Sequence, residues 1–231
     1  MSKQSHFWDK EYGNPQNLAL SDEPAEDFLK FLRFLERHHG KKFLNVTTRA
    51  LDLGCGNGRN VKYLAETYGM RGIGYDISQV AINQARENGT NLPLVYTVRS
   101  IAEPIDVEDA SVSIVLDMMT SHFLKYEERK NLREEIVRVL KPGGWLFFKS
   151  FLLDEDAHAK RLLREHPAEE EGMYMHPEIG APEYVWTEAV LREFYESAFV
   201  IHHIEKSFKH VRKDGSAWKR RTITAYMEKV G

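Results

Sequence analysis

The chain has 231 residues, of which 42% are hydrophobic and 29% are charged, so it can bury a core and is not a disordered tail. No apolar run approaches the roughly 20 residues of a membrane-spanning helix, and the charged N-terminal sequence predicts no secretory signal. The single cysteine, Cys55, excludes an internal disulfide and a thiolate zinc cluster. We therefore expect one elaborated domain, residues 1–231, in the cytoplasm.

The first half of the chain predicts helices alternating with strands. A helix begins near Pro24 and ends by Gly40, and its apolar side chains share one face. Short apolar strands are predicted at 50–53 and 72–76, each followed by a helix. Ser78 is placed to cap the second of these helices, because a serine side chain can accept a hydrogen bond from the first turn.

The alternation continues through the centre of the sequence. Strands are predicted at 94–98, 112–117 and 145–149. Before the last of them, an apolar stripe that includes Leu140 predicts a long helix ending at the sequence Pro142-Gly143-Gly144. Strands and helices in turn, with short connections, are typical of a mostly parallel sheet that is covered on both faces.

The C-terminal region departs from this alternation of strands and helices. A helix capped by Thr187 is followed by two long predicted strands, 199–211 and 218–229, with Asp214-Gly215 at a tight turn between them. Residues 151–186 lack a clear period and are interpreted as an insertion over the carboxyl edge of the sheet. The predicted fold is thus an α/β, Rossmann-like, doubly wound sheet of seven mostly parallel strands with an antiparallel C-terminal hairpin.

The charge of the chain is unevenly distributed. The formal net charge is −3, yet residues 202–221 contain seven lysines and arginines and only two acidic residues. This segment is either a solvated basic hairpin or a means of attracting an anionic small-molecule substrate. The overall charge argues against a large surface for nucleic acid.

The most informative motif is a glycine-rich turn, residues 51–58, between a predicted strand and a helix. Its glycines allow a tight turn and a close approach of the backbone to a ligand. About two dozen residues on, Asp76 ends the next strand, where a carboxylate can bind both hydroxyls of a ribose. Arg59 stands where a dinucleotide fingerprint has its third small residue, and the loop lacks a P-loop lysine. The pattern therefore favours a nucleoside ligand other than NAD, FAD or a nucleoside triphosphate.

Four ordered stretches resemble the motifs of class I S-adenosylmethionine-dependent methyltransferases. They are Leu51-Asp52-Leu53-Gly54-Cys55-Gly56-Asn57-Gly58, Gly72-Ile73-Gly74-Tyr75-Asp76-Ile77-Ser78, Val115-Leu116-Asp117-Met118 and Leu140-Lys141-Pro142-Gly143-Gly144-Trp145. The resemblance implies S-adenosyl-L-methionine as cofactor and S-adenosyl-L-homocysteine as product. It also implies in-line transfer of the sulfonium methyl group to an acceptor, which we expect to be a small molecule.

By this resemblance, residues on the glycine turn and at the strand ends would hold the cofactor: Asp52, Gly54, Cys55, Gly56, Asn57, Asp76, Ile77, Ser100, Ile101, Asp117 and Met118. Asp52 would meet the amino-acid end of the cofactor, Asp76 the ribose and Ile77 the adenine. Ser100 departs from the acidic residue that the family commonly places near the adenine amine. The chain would then divide into an N-terminal helical lid region (1–45), a cofactor-binding core (46–150), a substrate-cover insertion (151–186) and a C-terminal helix and hairpin (187–231).

The acceptor side is less clearly marked. The aromatic segment 7–12 is similar to a cofactor-covering segment of many small-molecule methyltransferases, although its rings could simply pin the terminus to the core. We expect Tyr12 to touch ligand, together with Tyr174, His176 and Trp186 of the insertion, although Trp186 is equally suited to core packing. His122 and His176 are weak candidates for a general base, and an ordinary hydrogen-bonded histidine is the alternative.

No metal site is predicted. His158, His166 and His176 lie among glutamates but at no recognised ligand spacing. His202 and His203 are adjacent on a predicted strand, so they should point to opposite faces and cannot readily share one ion.

Two other kinds of function remain open on the sequence alone. A non-catalytic nucleoside-binding protein could use the same fold, although the retained loop and acid argue against it. A nucleic-acid or protein methyltransferase is the other alternative. Amino-group methylating enzymes of nucleic acids carry an Asn/Asp-Pro-Pro-aromatic motif after the fourth strand, where this chain has Asp117-Met118-Met119-Thr120. The acceptor atom and the oligomeric state stay undetermined.

Overall fold

The computed structural model describes residues 3–16, 20–207 and 220–231. The helices are α1 (Lys3–Gly13), α2 (Glu26–His39), α3 (Arg59–Tyr68), α4 (Gln79–Asn88), α5 (Tyr126–Val139), α6 (Ala157–Glu165) and α7 (Glu188–Tyr195). The strands are β1 (Arg49–Leu53), β2 (Arg71–Asp76), β3 (Leu94–Val98), β4 (Val112–Met118), β5 (Leu140–Phe151), β6 (Met173–Met175), β7 (Pro182–Tyr184), β8 (Phe199–Ser207) and β9 (Thr222–Lys229). A single 3₁₀ turn, Ser121–Phe123, follows β4.

Seven of the strands form one sheet in the order β3-β2-β1-β4-β5-β9-β8. Strands β1 to β5 are parallel, and β9 runs antiparallel to both β5 and β8. This arrangement confirms the predicted Rossmann-like sheet with its C-terminal antiparallel pair. The predicted turn at Asp214-Gly215 lies outside the described residues. Strands β6 and β7 form a separate two-stranded hairpin within the insertion.

The helix ends follow the sequence signals. Ser78 Oγ accepts a hydrogen bond from the amide of Ala81 at 3.1 Å, and Thr187 Oγ1 accepts one from the amide of Val190 at 3.1 Å. Such caps satisfy amides that have no partner within the helix. Gly40 follows α2 with a φ of +57°, a conformation that favours glycine.

The core lies on both faces of the sheet because the side chains of a strand alternate between them. In β4, Val115 packs with residues of α5 and α7 on one face, while Ile114 and Leu116 pack with residues of α2 and α3 on the other. Phe147 and Phe148 divide in the same way along β5. The central strands are thus buried on both sides, and their polar end residues are left at the carboxyl edge.

The structure corrects the predicted end of the fifth helix. Helix α5 stops at Val139, and Leu140 is already extended, with φ −68° and ψ 134°. The segment Pro142-Gly143-Gly144 lies inside β5, where the pairing with β4 shifts in register. The cause is local. Lys141 precedes Pro142, and a residue before proline avoids helical angles, so the helix ends upstream of it. The two glycines that follow accommodate a bulge.

A second correction concerns the adjacent histidines of β8. The ring of His202 packs 4.9 Å from that of Trp145, and the ring of His203 packs 4.9 Å from that of Tyr226. Trp145 and Tyr226 belong to the same core cluster, so the two histidines share a face. The register of β8 against β9 shifts between Ile201 and His203, and such a bulge interrupts the alternation of side chains.

The insertion has more regular structure than its sequence indicates. It contains α6, whose first turn is capped by Asp156 Oδ1, and the β6–β7 hairpin. Strands of three residues are too short to show an alternating pattern. Across the described ranges 3–16, 20–207 and 220–231, none of the helices has both the length and the apolar character to cross a membrane.

Candidate functional site

A cavity of about 750 Å³ lies at the carboxyl ends of the parallel strands. The strand order reverses between β1 and β4, and a sheet of this kind opens a crevice at that point. Leu53 of β1 pairs with Tyr75 on one side and Asp117 on the other, so the three strands end at one level. The volume falls in the range of small-molecule sites, roughly 300–1,000 Å³.

The glycine turn after β1 forms one wall of the cavity. Gly54 and Gly56 have φ values of +76° and +56°. A Cβ at Gly54 would lie 2.2 Å from Thr120 Oγ1, and one at Gly56 would lie 2.2 Å from Tyr12 Oη. Glycine is therefore required at both positions for the conformation and for the close approach of neighbouring groups.

Asp76 lies directly against this turn. Its Oδ2 accepts a hydrogen bond from the amide of Gly56 at 2.9 Å, and its Oδ1 accepts one from the amide of Ser78 at 2.9 Å. Burial raises the pKa of this carboxyl, and the hydrogen bonds from Ser78 and Gly56 oppose that rise. The turn and the acid thus occupy the same edge of the sheet, and both line the cavity.

Two further carboxyl groups are buried at the strand ends. Asp52 and Asp117 are 1% and 0% exposed, and the Oδ2 atom of each has no hydrogen-bond partner among the described residues. Burial raises the pKa of Asp52 to about 7, which the charge of Arg59 opposes. Burial likewise raises the pKa of Asp117 to about 6, although the amide of Ser121 donates to its Oδ1 at 3.1 Å. Buried carboxylate oxygens that lack a partner are costly, so they indicate a place for a cationic or hydrogen-bonding ligand.

The N-terminal helix α1 covers one side of the cavity. Asp9 Oδ1 accepts hydrogen bonds from Ser78 Oγ at 2.7 Å and from the amide of Val80 at 3.2 Å, which fix α1 to the start of α4. Gln84 Nε2 also donates to the carbonyl of Tyr12 at 2.9 Å. Phe7, Trp8 and Tyr12 of α1 line the cavity. Burial, followed by the charge of Asp76, raises the pKa of Tyr12.

A polar cluster formed by His122, Tyr174, Glu183 and Arg220 also borders the cavity. Tyr174 Oη donates to Oε2 of Glu183, and Arg220 donates both to the same oxygen at 3.0 Å and to Tyr174 Oη. Oε1 of Glu183 faces His122 Nε2 at 3.9 Å. The guanidinium of Arg220 stacks on the ring of Phe151 with its carbon 3.3 Å from the ring centroid.

Burial and neighbouring charges set the protonation states of the side chains in this cluster. Burial would raise the pKa of Glu183, but Arg220 and the nearby histidines lower it below its usual value. Burial lowers the pKa of His122 to about 4, and the charge of Glu183 counteracts only part of that shift. At neutral pH the cavity therefore contains an ionised Glu183–Arg220 pair beside a neutral imidazole.

Comparison with known proteins identifies the fold and the kind of domain. A family described as "Methyltransferase domain" matches residues 51–148. A glycine/sarcosine/dimethylglycine N-methyltransferase from Actinopolyspora halophila is 30% identical over 161 residues, which are 68% of this chain and 28% of that protein. Phthiotriol/phenolphthiotriol dimycocerosates methyltransferase 1 from Mycobacterium ulcerans is 33% identical over 147 residues, 61% of this chain and 51% of that one. The chain thus spans only about a quarter to a half of the length of these curated relatives.

Among solved structures, the N-methyltransferase NodS from Bradyrhizobium japonicum, in complex with S-adenosyl-L-homocysteine, shares the fold with a TM-score of 0.69. The sequence identity is 17%, and the match covers 99% of each chain. Residues 51–148 thus match a methyltransferase domain, and the chain shares the fold of a methyltransferase solved with S-adenosyl-L-homocysteine. These matches confirm the resemblance to class I S-adenosylmethionine-dependent methyltransferases stated from the motifs, and with it S-adenosylmethionine as the cofactor.

In this methyltransferase, most of the predicted cofactor residues line the cavity: Gly54, Cys55, Asn57, Asp76, Ile77, Ser100, Ile101 and Met118. Gly56 contributes its amide to Asp76, whereas Asp52 and Asp117 are fully buried and do not line the cavity. The described residues suit the family's cofactor, because unpartnered carboxylate oxygens, a turn without side chains and a strand-end acid all lie at one edge of the sheet.

The predicted acceptor residues are divided between the cavity and the core. Tyr12, His122 and His176 line the cavity. Tyr174 is 0% exposed and meets the cavity only through its hydrogen bonds to Glu183 and Arg220. Trp186 is 1% exposed and packs in the core against Phe148 and Tyr184, so its position corrects the expectation of direct substrate contact. A large ring on a strand-to-helix connection is well placed to fill the core.

Three side chains that the sequence analysis did not single out as site residues are prominent in the cavity. Glu183 and Arg220 form the charged pair, and Phe151 supplies the surface on which Arg220 stacks. Arg220 falls within the basic segment noted in the sequence, but no spacing rule separates it from the other basic residues. Glu183 belongs to a three-residue strand whose partner is known only once the hairpin is folded.

Metal-ligating side chains do not converge in the part of the chain that the structure describes. No group of three or more His, Cys, Asp or Glu residues there is arranged to hold a metal ion.

Proposed function

We propose that this methyltransferase transfers the methyl group of S-adenosylmethionine to a small-molecule acceptor in the cytoplasm. The observation that carries the proposal is the direct contact between the glycine turn and Asp76 beside an open cavity. The relatives named for glycine and sarcosine and for phthiotriol support small-molecule acceptors. The buried, unpaired Cys55 is compatible with a reducing compartment.

The cofactor supplies an electrophilic methyl group on a sulfonium. The protein therefore has to bind the cofactor, align it with the acceptor and exclude water. We assign the ribose hydroxyls to Asp76, whose oxygens retain acceptor capacity beyond the two amides they already bind. Ile77, Ser100 and Ile101 lie next along the cavity and would hold the adenine, with the backbone near Ser100 replacing an acidic side chain.

Asp52 and Asp117 would stabilise the cationic amino-acid and sulfonium end. Their unpartnered Oδ2 atoms lie at the ends of adjacent strands, and an ionised carboxylate favours a nearby cation. Asp52 would act mainly through the glycine turn or a bound water, since it is fully buried.

The N-terminal helix would close over the bound cofactor. Tyr12 lies on Gly56, and Trp8 packs edge-on against Phe123 with ring centroids 5.8 Å apart. Both α1 and residues 151–186 contribute side chains to the lining, and this cover would favour a small acceptor over a nucleic acid or a folded protein. Exclusion of water would protect the reactive methyl group.

Calorimetry on the purified chain tests the proposal. S-adenosylhomocysteine should bind with a micromolar dissociation constant, and Asp76→Ala should weaken it at least tenfold, or about 1.4 kcal/mol. Asp109→Ala is the matched control, because Asp109 pairs with Arg138 at the surface. This variant should bind S-adenosylhomocysteine as tightly as the wild type. A wild type that binds neither the cofactor nor its product would refute the proposal.

A further inference from the structure

The polar cluster of His122, Tyr174, Glu183 and Arg220 has a geometry that suits proton transfer. His122 and Glu183 both line the cavity, together with Met118 and Gly54 from the cofactor side. Their nearest atoms, Nε2 and Oε1, are 3.9 Å apart and thus beyond hydrogen-bond distance. A third atom placed beside both can lie about 2.8 Å from each, which is the normal length of a hydrogen bond.

The orientation of Glu183 is fixed by its other neighbours. Tyr174 and Arg220 both donate to Oε2, so Oε1 is the oxygen that faces the imidazole. Glu183 is 2% exposed, and Arg220 is held flat on Phe151. A carboxylate held in this way keeps a constant position relative to His122 and stabilises an imidazolium there.

We infer that the acceptor atom carries a proton, as a hydroxyl or an N–H amine does, and that His122 takes this proton while Glu183 stabilises the resulting imidazolium. The inference rests on the proposed function and names its acceptor class. The bond from the acceptor atom to the methyl carbon forms as the S–CH₃ bond breaks, and the sulfur keeps the electron pair. The proton passes to His122 Nε2, so the positive charge of the sulfonium ends on the imidazole beside Glu183.

The surroundings of His122 support this role. Its ring packs against Phe123 and Phe151, with centroids 4.1 and 5.1 Å away, and only 2% of the residue is exposed. The charged and titratable groups that act on it are Glu183 on β7, Arg220 before β9, His176 after β6 and Arg129 on α5. Because burial keeps the pKa of His122 well below neutral, the ring is uncharged at pH 7 and does not repel a sulfonium, while the charge of Glu183 raises that pKa and so favours acceptance of a proton.

An acceptor atom that carries no proton gains nothing from the His122–Glu183 pair. A tertiary amine or a thioether attacks through a lone pair and releases no proton, and an aromatic, uncharged wall would suit it better. Glu183, which Arg220 and Tyr174 hold through Oε2, still presents Oε1 to the imidazole, where it would stabilise an imidazolium formed by proton transfer. The arrangement therefore favours protic acceptors.

The test uses radiolabelled S-adenosylmethionine and defined probes. The protic probes are phenol, ethanolamine and sarcosine, and the aprotic probes are pyridine, which is unprotonated at neutral pH, and dimethyl sulfide. We expect transfer to at least one protic probe and none to the aprotic pair. Equal or faster transfer to an aprotic probe overturns the inference, and so does a protein that binds S-adenosylhomocysteine but methylates none of the probes.

Variants then assign the roles. His122→Gln should lower kcat for the protic probe roughly a hundredfold, as loss of a general base does. Glu183→Gln should lower kcat by roughly tenfold and move the acid limb of the pH profile to lower pH, because the charge of Glu183 raises the pKa of His122. The KM for S-adenosylmethionine should change less than twofold. His203→Gln, an exposed histidine on β8, is the matched control.

Calorimetry with S-adenosylhomocysteine on each variant separates the two hypotheses. Variants that bind it normally are folded, so unchanged kcat and pH profiles in them overturn the role of His122 and Glu183 while leaving the proposed function intact. A wild type that does not bind it at all refutes the proposed function first.

Discussion

The proposed cofactor side and the proposed acceptor side of the cavity are built in different ways. On the cofactor side, the glycine turn and Asp76 follow adjacent parallel strands within a stretch of 26 residues, and backbone amides make the contacts. On the acceptor side, His122, Glu183 and Arg220 come from three distant parts of the chain, and side chains make the contacts. The cofactor side is thus fixed by local geometry, whereas the acceptor side depends on an ion network assembled only in the folded state.

This difference predicts that the acceptor side contributes strongly to stability but little to cofactor affinity. Arg220→Met would leave Glu183, which is 2% exposed, without its cation. Removing one partner of a buried pair costs about 3 kcal/mol of unfolding free energy or more. Urea denaturation should show this loss, while calorimetry shows an affinity for S-adenosylhomocysteine within threefold of the wild type.

Adding Glu183→Gln to Arg220→Met should restore much of that stability, because no uncompensated charge then remains. If Arg220→Met alone is as stable as the wild type, the Glu183–Arg220 pair does not stabilise the fold.

A substitution on the cofactor side should instead lower cofactor affinity strongly. Gly54→Ala places a Cβ 2.8 Å from Thr120 Cβ, so a change of rotamer cannot relieve the clash and the turn must move. We expect at least a hundredfold loss of S-adenosylhomocysteine affinity, or about 2.7 kcal/mol, measured by calorimetry.

Gly40→Ala is the matched control for Gly54→Ala. Gly40 also has a positive φ, +57°, but a Cβ there meets nothing within 4 Å. It should lose about 1–3 kcal/mol of stability through backbone strain and retain full affinity. Equal losses of affinity in the two variants would mean that strain, and not the shape of the turn, sets binding.

Cofactor affinity should also depend on pH through the buried carboxyls. The raised pKa values of Asp52 and Asp117, about 7 and about 6, mean that both bind protons as the pH falls through that range. A cationic ligand favours their ionised forms, so binding must release protons at low pH. S-adenosylmethionine should bind about tenfold more weakly at pH 5.5 than at pH 8.

Asp52→Asn should flatten this dependence, because the neutral amide does not titrate. Calorimetry in buffers of different ionisation enthalpy measures the released protons directly. Proton uptake on binding, or the same pH dependence in Asp52→Asn, would contradict the assignment of Asp52.

The smallest predicted effect concerns adenine. Ser100 lines the cavity where the family commonly has an acidic residue. Ser100→Asp should add one hydrogen bond to the adenine amine and tighten S-adenosylhomocysteine binding about fivefold, since one net hydrogen bond contributes roughly 1 kcal/mol. S-inosylhomocysteine, which lacks that amine, should show no gain, and a gain for both ligands would place the adenine elsewhere.

Much of the cofactor side could be predicted from the sequence. The strand at 94–98 matches β3, Ser78 caps its helix, and the turn and Asp76 meet as neighbouring parallel strands require. These features depend on periodicity and on turn chemistry within short windows, which single-sequence patterns contain.

The remaining features depend on contacts between distant segments. Glu183 is defined by its hairpin and by Arg220, and neither shows in the composition of residues 151–186. Trp186 is equally compatible with a core and with a site until its neighbours are known. The bulge beside His202 arises from strand pairing, and no residue in β8 signals it.

The most direct test of the central claim is a crystal structure of the chain with S-adenosylhomocysteine. The ribose hydroxyls should lie within hydrogen-bond distance of Asp76, the amino-acid end should lie over the glycine turn, and the thioether sulfur should face the space between His122 and Glu183. A ligand bound elsewhere, or one whose sulfur points away from that pair, would contradict the account.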